Sequence, residues 1–253
     1  MKSIKRFAMM MFSVLTAVAA TAQGGGTDKP TIVFVHGIWA DGSCWTTQIA
    51  ALQAEGYPVL SVQNPLTSLE DDVAATKRII GLAKGKVILV GHSWGGFVIT
   101  QAGNDPKVVG LVYVAAFAPD QGEDIPTLSK NAPQTQLGNY FVPAGDYLFL
   151  SQEGVKTAFA ADLSAKEQGL VYATQIAANK SLFGAQSGEP AWKQKPSWFI
   201  VAKSDGAIHP DLERFMAARI KARTTEIESS HVMMLSHPKE VLQIIKEAAQ
   251  AAK

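Results

Sequence analysis

The sequence predicts an α/β fold, a mostly parallel central sheet with helices on both faces and a helical cap inserted after a core strand. Three observations predict it. Thr31–Val35, Lys86–Val90, Val108–Ala116 and Ser197–Ala202 are short, almost unbroken apolar runs rich in β-branched residues, without the polar alternation of a strand that has one wet face. Segments of helical spacing separate them, and strand–helix–strand alternation is the pattern of a parallel sheet. From Pro119 to Pro190 the alternation stops.

The elements follow in order. Gln23–Asp28 is a Gly-rich leader, and the strand Thr31–Val35 ends in His36-Gly37-Ile38-Trp39. Ser43–Glu55 reads as a helix closed by Gly56, and Pro58–Val62 as a short strand followed by the turn Asn64-Pro65. Leu69–Ala83 has helical spacing, with acidic residues in its first turn where the macrodipole favours them. Lys86–Val90 runs into Gly91-His92-Ser93-Trp94-Gly95, and Gly96-Phe97-Val98-Ile99 continue as a helix. Residues 119–190 show turn signals and helical patterns at Val155–Leu163 and Ala165–Lys180, with no strand run like the earlier ones, and so read as a cap over the sheet's carboxyl edge. Ser197–Ala202 is a strand, Pro210–Ala222 a helix, Thr224–Ile227 a strand and Pro238–Ala251 a closing helix.

The N-terminal end reads as an export signal. Lys2, Lys5 and Arg6 precede the apolar run Phe7–Ala20, and Ala20-Thr21-Ala22 offers a small-residue cleavage site. The run has 14 residues, short of the ~20 a membrane helix needs. Residues 1–22 are therefore expected to be removed, leaving 23–253 as a single domain in the periplasm or outside the cell. The mature chain carries 20 basic and 22 acidic side chains with no basic stripe, so neither a nucleic acid nor a membrane partner is expected. The one cysteine, Cys44, cannot form an intramolecular disulfide, and nothing beside it marks an activated nucleophile. There is no Cys-x-x-Cys and no His-x-x-x-His, so no metal or cofactor is called for.

Gly-x-Ser-x-Gly on a strand-to-helix turn sets a serine on a strained backbone with its hydroxyl above the sheet. Side chains at Gly91 and Gly95 would collide across that turn. A serine hydroxyl needs a positioned base, and the base needs an orienting carboxylate. Ligands of open parallel sheets bind beyond the carboxyl ends of the strands. Asp205 and His231 stand just there, in the chain order Ser93, Asp205, His231 of one class of sheet enzyme. Asp120, past the Val108–Ala116 strand, is the other candidate acid. His92 should point away from Ser93, His36 should be a buried hydrogen-bonding residue, and His209 and His237 abut prolines at helix starts. The N–H groups of Trp94 and Ile38 suit an oxyanion site, since Gly37 lets the backbone turn Ile38 toward Ser93.

Val33-Phe34-Val35-His36-Gly37, Gly91-His92-Ser93-Trp94-Gly95-Gly96, Asp205 and Ser230-His231-Val232 resemble the α/β-hydrolase fold family. The chain is similar to its capped, cofactor-free branch of bacterial esterases, plant methyl esterases and hydroxynitrile lyases. The resemblance implies Ser93 as nucleophile, His231 as base, Asp205 as orienting acid, and Ile38 and Trp94 as oxyanion donors. Hydroxynitrile lyases of this branch carry a lysine after the catalytic histidine and a threonine in the first-strand loop, where this chain has Val232 and Gly37. Trp39, Trp45, Phe117 and Met233 beside the catalytic loops, with Phe141, Tyr147, Phe149 and Phe183 from the cap, are expected to wall an apolar pocket. The expectation is an exported serine hydrolase cleaving a small, largely apolar carboxylic ester. Lactone opening, perhydrolysis, C–C or cyanohydrin cleavage by the same residues, and ligand binding on a hydrolase scaffold, are the alternatives.

Overall fold

The computed structural model describes residues 29–252, so the expected signal segment 1–22 lies outside the described residues. Six parallel strands form the central sheet in the order β2-β1-β3-β4-β8-β9. These are β1 (Thr31–Val35), β2 (Val59–Val62), β3 (Val87–Ser93), β4 (Val108–Ala116), β8 (Ser197–Ala202) and β9 (Arg223–Ile227). Every residue of β1, β3 and β8 is buried, as the unbroken apolar runs require of strands covered on both faces. Helix α9 (Pro238–Ala251) packs on β3, β4, β8 and α1 (Thr46–Ala54), while α3 (Gly95–Ala102) packs on β3, β4 and α2 (Leu69–Leu82). Helix α9 turns Val241, Ile244, Ile245, Ala248 and Ala249 inward, an i, i+3, i+4, i+7, i+8 stripe. Helix α7 (Pro210–Arg219) covers β8.

Helix α2 starts at Ser68, whose side chain accepts the Asp71 N–H, and carries Glu70, Asp71 and Asp72 in its first turn. Its inward face is Leu69, Asp72, Val73, Ala75, Thr76 and Ile80. Asp72 stands out as a buried carboxyl among them, accepting the Leu66 N–H at 2.9 Å and the Trp94 indole N–H at 2.8 Å. It thereby ties α2 to the turn that follows β3.

The segment between β4 and β8 is less helical than the sequence suggests. Besides α4 (Ile125–Ser129), α5 (Gln152–Gly154) and α6 (Ala165–Thr174), it holds β5 (Phe141–Ala144), β6 (Tyr147–Leu150) and β7 (Ala178–Asn179) in a small antiparallel sheet ordered β5-β6-β7. The strands escape a periodicity reading because they are short and half-exposed and because Pro143 interrupts β5. Pro143 is tolerated because β5 is an edge strand. The expected helix Val155–Leu163 is a π-helical turn, Val155–Phe159, and the helix expected over Ala165–Lys180 ends at Thr174. There Gln175 leaves the helix, and its side-chain amide bonds both the N–H and the C=O of Leu150. Among the described residues no helix is long and apolar enough to cross a membrane.

Replacing Asp72 by Ala strands two buried donors, Leu66 N–H and Trp94 Nε1–H. Each unsatisfied buried group costs ~1–3 kcal/mol, so urea denaturation of D72A should show a loss of roughly 2–5 kcal/mol. A loss below ~1 kcal/mol would contradict the assigned role of this carboxyl.

Candidate active site

Ser93 closes β3 with φ 53°, in the left-handed region that L-residues with side chains avoid at a cost of order 1–3 kcal/mol. The β3–β4 register slips at the same place. His92 pairs with Val114 and Ser93 with Ala116, leaving Ala115 between them at φ 41°. Gly91 is required by the turn itself, since a Cβ there would lie 2.7 Å from Gly95 O. The requirement at Gly95 has a different origin from the one expected: a Cβ there would overlap Val35 O of β1, not the turn. Strand β1 thus presses on the first turn of α3 from the neighbouring position in the sheet.

His231 and Asp205 come together beyond the ends of β9 and β8. His231 Nδ1–H donates to Asp205 Oδ2 at 2.6 Å, and both side chains are buried. Asp205 Oδ1 accepts the N–H groups of Ala207 at 2.6 Å and Ile208 at 2.9 Å. With Nδ1 as donor, the His231 lone pair lies on Nε2, which is buried and has no hydrogen-bond partner among the described residues. Ser93 and His231 line one cavity without being hydrogen-bonded to each other. Asp120 is elsewhere, half-exposed and ion-paired with Lys193 at 2.7 Å.

The other histidines divide as expected. His36 is buried; its Nε2 accepts the Asn64 N–H at 2.9 Å and its Nδ1–H donates to Gly37 O at 2.9 Å. Burial, its largest influence, holds His36 below the usual histidine range. His92 donates Nε2–H to His231 O at 3.0 Å, fixing the backbone of the loop that carries His231, and does not line the cavity. Burial, and then the nearby His231, keep it neutral. His209 Nδ1 accepts the Asp211 N–H at the start of α7, and His237 Nδ1 meets Ser236 Oγ at 2.9 Å. Burial pushes the Cys44 thiol up, so it remains protonated.

Trp94 occupies the turn before α3, and Trp39, next to Ile38, has φ 59°. Among the described residues the backbone N–H groups of Ile38 and Trp94 have no intramolecular acceptor. Both residues line the cavity with Ser93 and His231.

That cavity encloses about 230 Å³. Trp39, Phe117, Phe141 and Phe183 line it as expected; Ile125, Leu137, Ile208 and Leu212 were not anticipated. Trp45 and Met233, expected as walls, are not among its lining residues. Trp45 is fully buried and stacks on Phe34 with ring centroids 4.8 Å apart, and Met233 is buried at the start of a short helix. Tyr147 and Phe149 are also outside it, Phe149 facing the exterior of the small sheet. Among the described residues no carboxylate, ammonium or guanidinium group lines the cavity.

Sequence reasoning passed over two carboxylates that hold the site. Asp72 anchors the Trp94 indole, and its carboxyl is pushed up to about 6, by burial first of all. Asp162 accepts the Ser230 N–H at 2.9 Å and also its hydroxyl, so the inserted segment grips the residue before His231. Burial opposes ionisation of Asp162, yet the Ser230 donors hold it below the usual carboxylate range. An aspartate on the apolar stripe of α2 was a readable signal for the first; no periodicity marks the second.

Comparison with known proteins places this architecture. The sequence profile of the Alpha/beta hydrolase family matches residues 32–244, and the chain belongs to that family. It is 34% identical over 124 residues to a carbendazim hydrolyzing esterase of Nocardioides sp. (strain SG-4G), covering 44% of this chain and 51% of that protein. It is 36% identical over 110 residues to methylesterase 7 of Arabidopsis thaliana, covering 37% of this chain and 42% of the relative. The chain thus aligns with about half the length of these two curated relatives. The crystal structure of a pyrethroid hydrolase from Sphingobium faniae JZ-2 superimposes with TM-score 0.73 at 21% identity, covering 88% of this chain and 98% of that one, which shows the shared fold.

Proposed function

We propose that the chain is an exported serine hydrolase that cleaves a small, largely apolar carboxylic ester through an acyl-enzyme intermediate. The observation that carries this is the convergence on one uncharged cavity of Ser93, a His231 Nε2 held as acceptor by Asp205, and two unengaged N–H groups. The names of the two curated relatives, both esterases, support the same reading. At about 230 Å³ the cavity falls below the roughly 300–1,000 Å³ of pockets for drug-sized ligands, which favours a small substrate.

Ser93 Oγ attacks the ester carbonyl carbon while its proton passes to His231 Nε2. The carbonyl oxygen becomes an oxyanion that accepts from Ile38 N–H and Trp94 N–H. The C–O bond to the alcohol breaks, and the departing alkoxide takes the proton from His231. Water then attacks the acyl-enzyme carbon and gives its proton to His231, and the Ser93 oxygen leaves as the hydroxyl on recovering that proton. Asp205 keeps the required tautomer throughout and stabilises the transient imidazolium. The Ser93–His231 contact closes when substrate fills the cavity, as hydrogen bonds of unliganded sites often do.

Gly37 and Val232 argue for hydrolysis over cyanohydrin cleavage. A Cβ on Gly37 would come 2.7 Å from the Ser93 Cβ, so no threonine fits there on this backbone. Val232 is buried, lines a different cavity and carries no charge that could hold cyanide. Ligand binding alone would not need the Asp205–His231 arrangement.

Ser93→Ala should leave the fold intact and reduce p-nitrophenyl acetate hydrolysis to at most the ~10³–10⁴-fold residual over water that binding and the oxyanion site supply. Asp205→Asn should lower kcat by up to about 10⁴, and Asp120→Asn far less. A tenth of the wild-type rate surviving in Ser93→Ala, or the reverse ranking of the two aspartates, contradicts the assignment. Mandelonitrile cleavage by the same preparation should run orders of magnitude slower than aryl ester hydrolysis. Cyanide release at a comparable rate, abolished by Ser93→Ala, would reverse that choice. Intact-mass measurement of protein recovered from outside the inner membrane should give an N-terminus at Gln23, and retention of Met1–Ala22 there would overturn export.

A further inference from the structure

Helix α7 turns Leu212, Glu213, Met216 and Ala217 toward the interior, and only Glu213 among them is polar. Its side chain is completely buried. Among the described residues it pairs with no cation: Arg214 next to it pairs instead with Asp211 and Glu226, each at 2.8 Å. Glu213 Oε2 accepts the N–H of Ala202, the last residue of β8, at 3.0 Å. Oε1 is buried with no donor facing it among the described residues. Ala202, whose N–H holds Oε2, accepts the Asp205 N–H on its carbonyl at 3.3 Å, and Asp205 is the side chain whose charge and hydrogen bonding bear on Glu213.

An acceptor that faces an acceptor needs a proton between them, and two carboxylates side by side in a dry site cannot both ionise. Asp205 is equipped to hold the charge, with donors from Ala207 N–H, Ile208 N–H and His231 Nδ1–H. Glu213 has the single donor Ala202 N–H, so the shared proton belongs on Glu213. Burial, and after it the Asp205 charge, raise the Glu213 carboxyl well above the usual range.

We propose that Glu213 is a positioning residue whose Oε1–H donates to the Asp205 carboxylate and so fixes the group that orients His231. The proposal rests on Asp205 and His231 being the acid and base of the reaction. Two consequences follow. The donated hydrogen bond holds the Asp205 carboxylate in the orientation that receives His231 Nδ1–H. Loss of the Glu213 proton on the alkaline side sets a second negative charge against Asp205 and disturbs the pair. Among the described residues the charged side chains that bear on it are Asp205, in the loop after β8, and Arg214, next to it on α7.

A glutamine can reproduce both contacts, its amide oxygen accepting from Ala202 and its amide N–H donating to Asp205, but it does not titrate. Leucine fills the space and supplies neither. The test is the pH dependence of kcat and KM for p-nitrophenyl acetate, corrected for spontaneous hydrolysis, in wild type, Glu213→Gln and Glu213→Leu. The wild type should lose activity on the alkaline side, and Glu213→Gln should restore a profile without that limb. Glu213→Leu should lower kcat by roughly 10–100-fold at little-changed KM. Equal losses in both variants with profiles shaped like the wild type would reduce Glu213 to a packing residue and overturn the proposal. Where Glu213→Leu does not fold, an unchanged alkaline limb in Glu213→Gln overturns it alone.

Thermal denaturation separates this outcome from failure of the triad, which Ser93→Ala reports. A carboxyl raised in the folded state stabilises fully below its unfolded pKa of ~4.3, and that contribution is lost as pH rises toward the folded value. The Tm of Glu213→Gln relative to wild type should therefore climb as pH rises from about 4. A difference that does not vary with pH overturns the protonated assignment whatever the kinetics show.

Discussion

Backbone crowding at the end of β3 is the constraint on which the site depends. Ser93 holds φ 53° because strand and helix press on it from several directions: Gly95 has no room for a side chain beside Val35 O, and Gly37 none beside Ser93. A strained residue persists only where its surroundings over-determine it. Here the surroundings are β1, β3 and β4, buried almost without exception, and Trp94, whose indole is anchored to Asp72 on the next helix. The strain lifts the serine hydroxyl out of the sheet and leaves the Trp94 N–H free of the helix ladder.

The loops that meet this turn are held by buried polar groups. His36 and Asn64 exchange two hydrogen bonds between the loops after β1 and β2. His92 and Asp162 take hold of His231 and Ser230 from opposite sides, and Asp205 is braced by two backbone donors of its own loop. Catalytic groups on loops are precise only when such contacts lock them. The site combines this polar framework with a cavity lined mostly by apolar side chains, with Gln134, Thr135 and His209 among the polar ones, so charge developing in a reaction meets fixed dipoles.

Legibility in the sequence follows the range of the interaction. The four inner strands β1, β3, β4 and β8 were readable because burial on both faces leaves an unbroken apolar run, and Ser93 because the turn constrains its neighbours within two residues. Asp205 and His231 were readable because each closely follows a strand; Asp120 stands past a strand as well and lies in the same chain order, and only the fold separates the two acids, by setting Asp205 on His231 and Asp120 on Lys193. The β5–β6 hairpin was not, since its residues are half-exposed and Pro143 disguises it. Trp45 and Met233 lie close in sequence to catalytic loops yet face the core, a matter of rotation that spacing does not determine. Glu213 and Asp72 left a trace as carboxylates on apolar helical stripes, but what each touches lies far along the chain.

The chemistry proposed for the site requires Ser93 to be an activated nucleophile in a cavity for small, uncharged esters. It is tested most directly by reacting the intact protein with a fluorophosphonate and locating the adduct by peptide mass spectrometry. One covalent adduct should form, on Ser93, at a rate that falls when the cavity is filled with a slow ester substrate. Failure of the folded protein to react, or an adduct on a residue other than Ser93, would contradict it.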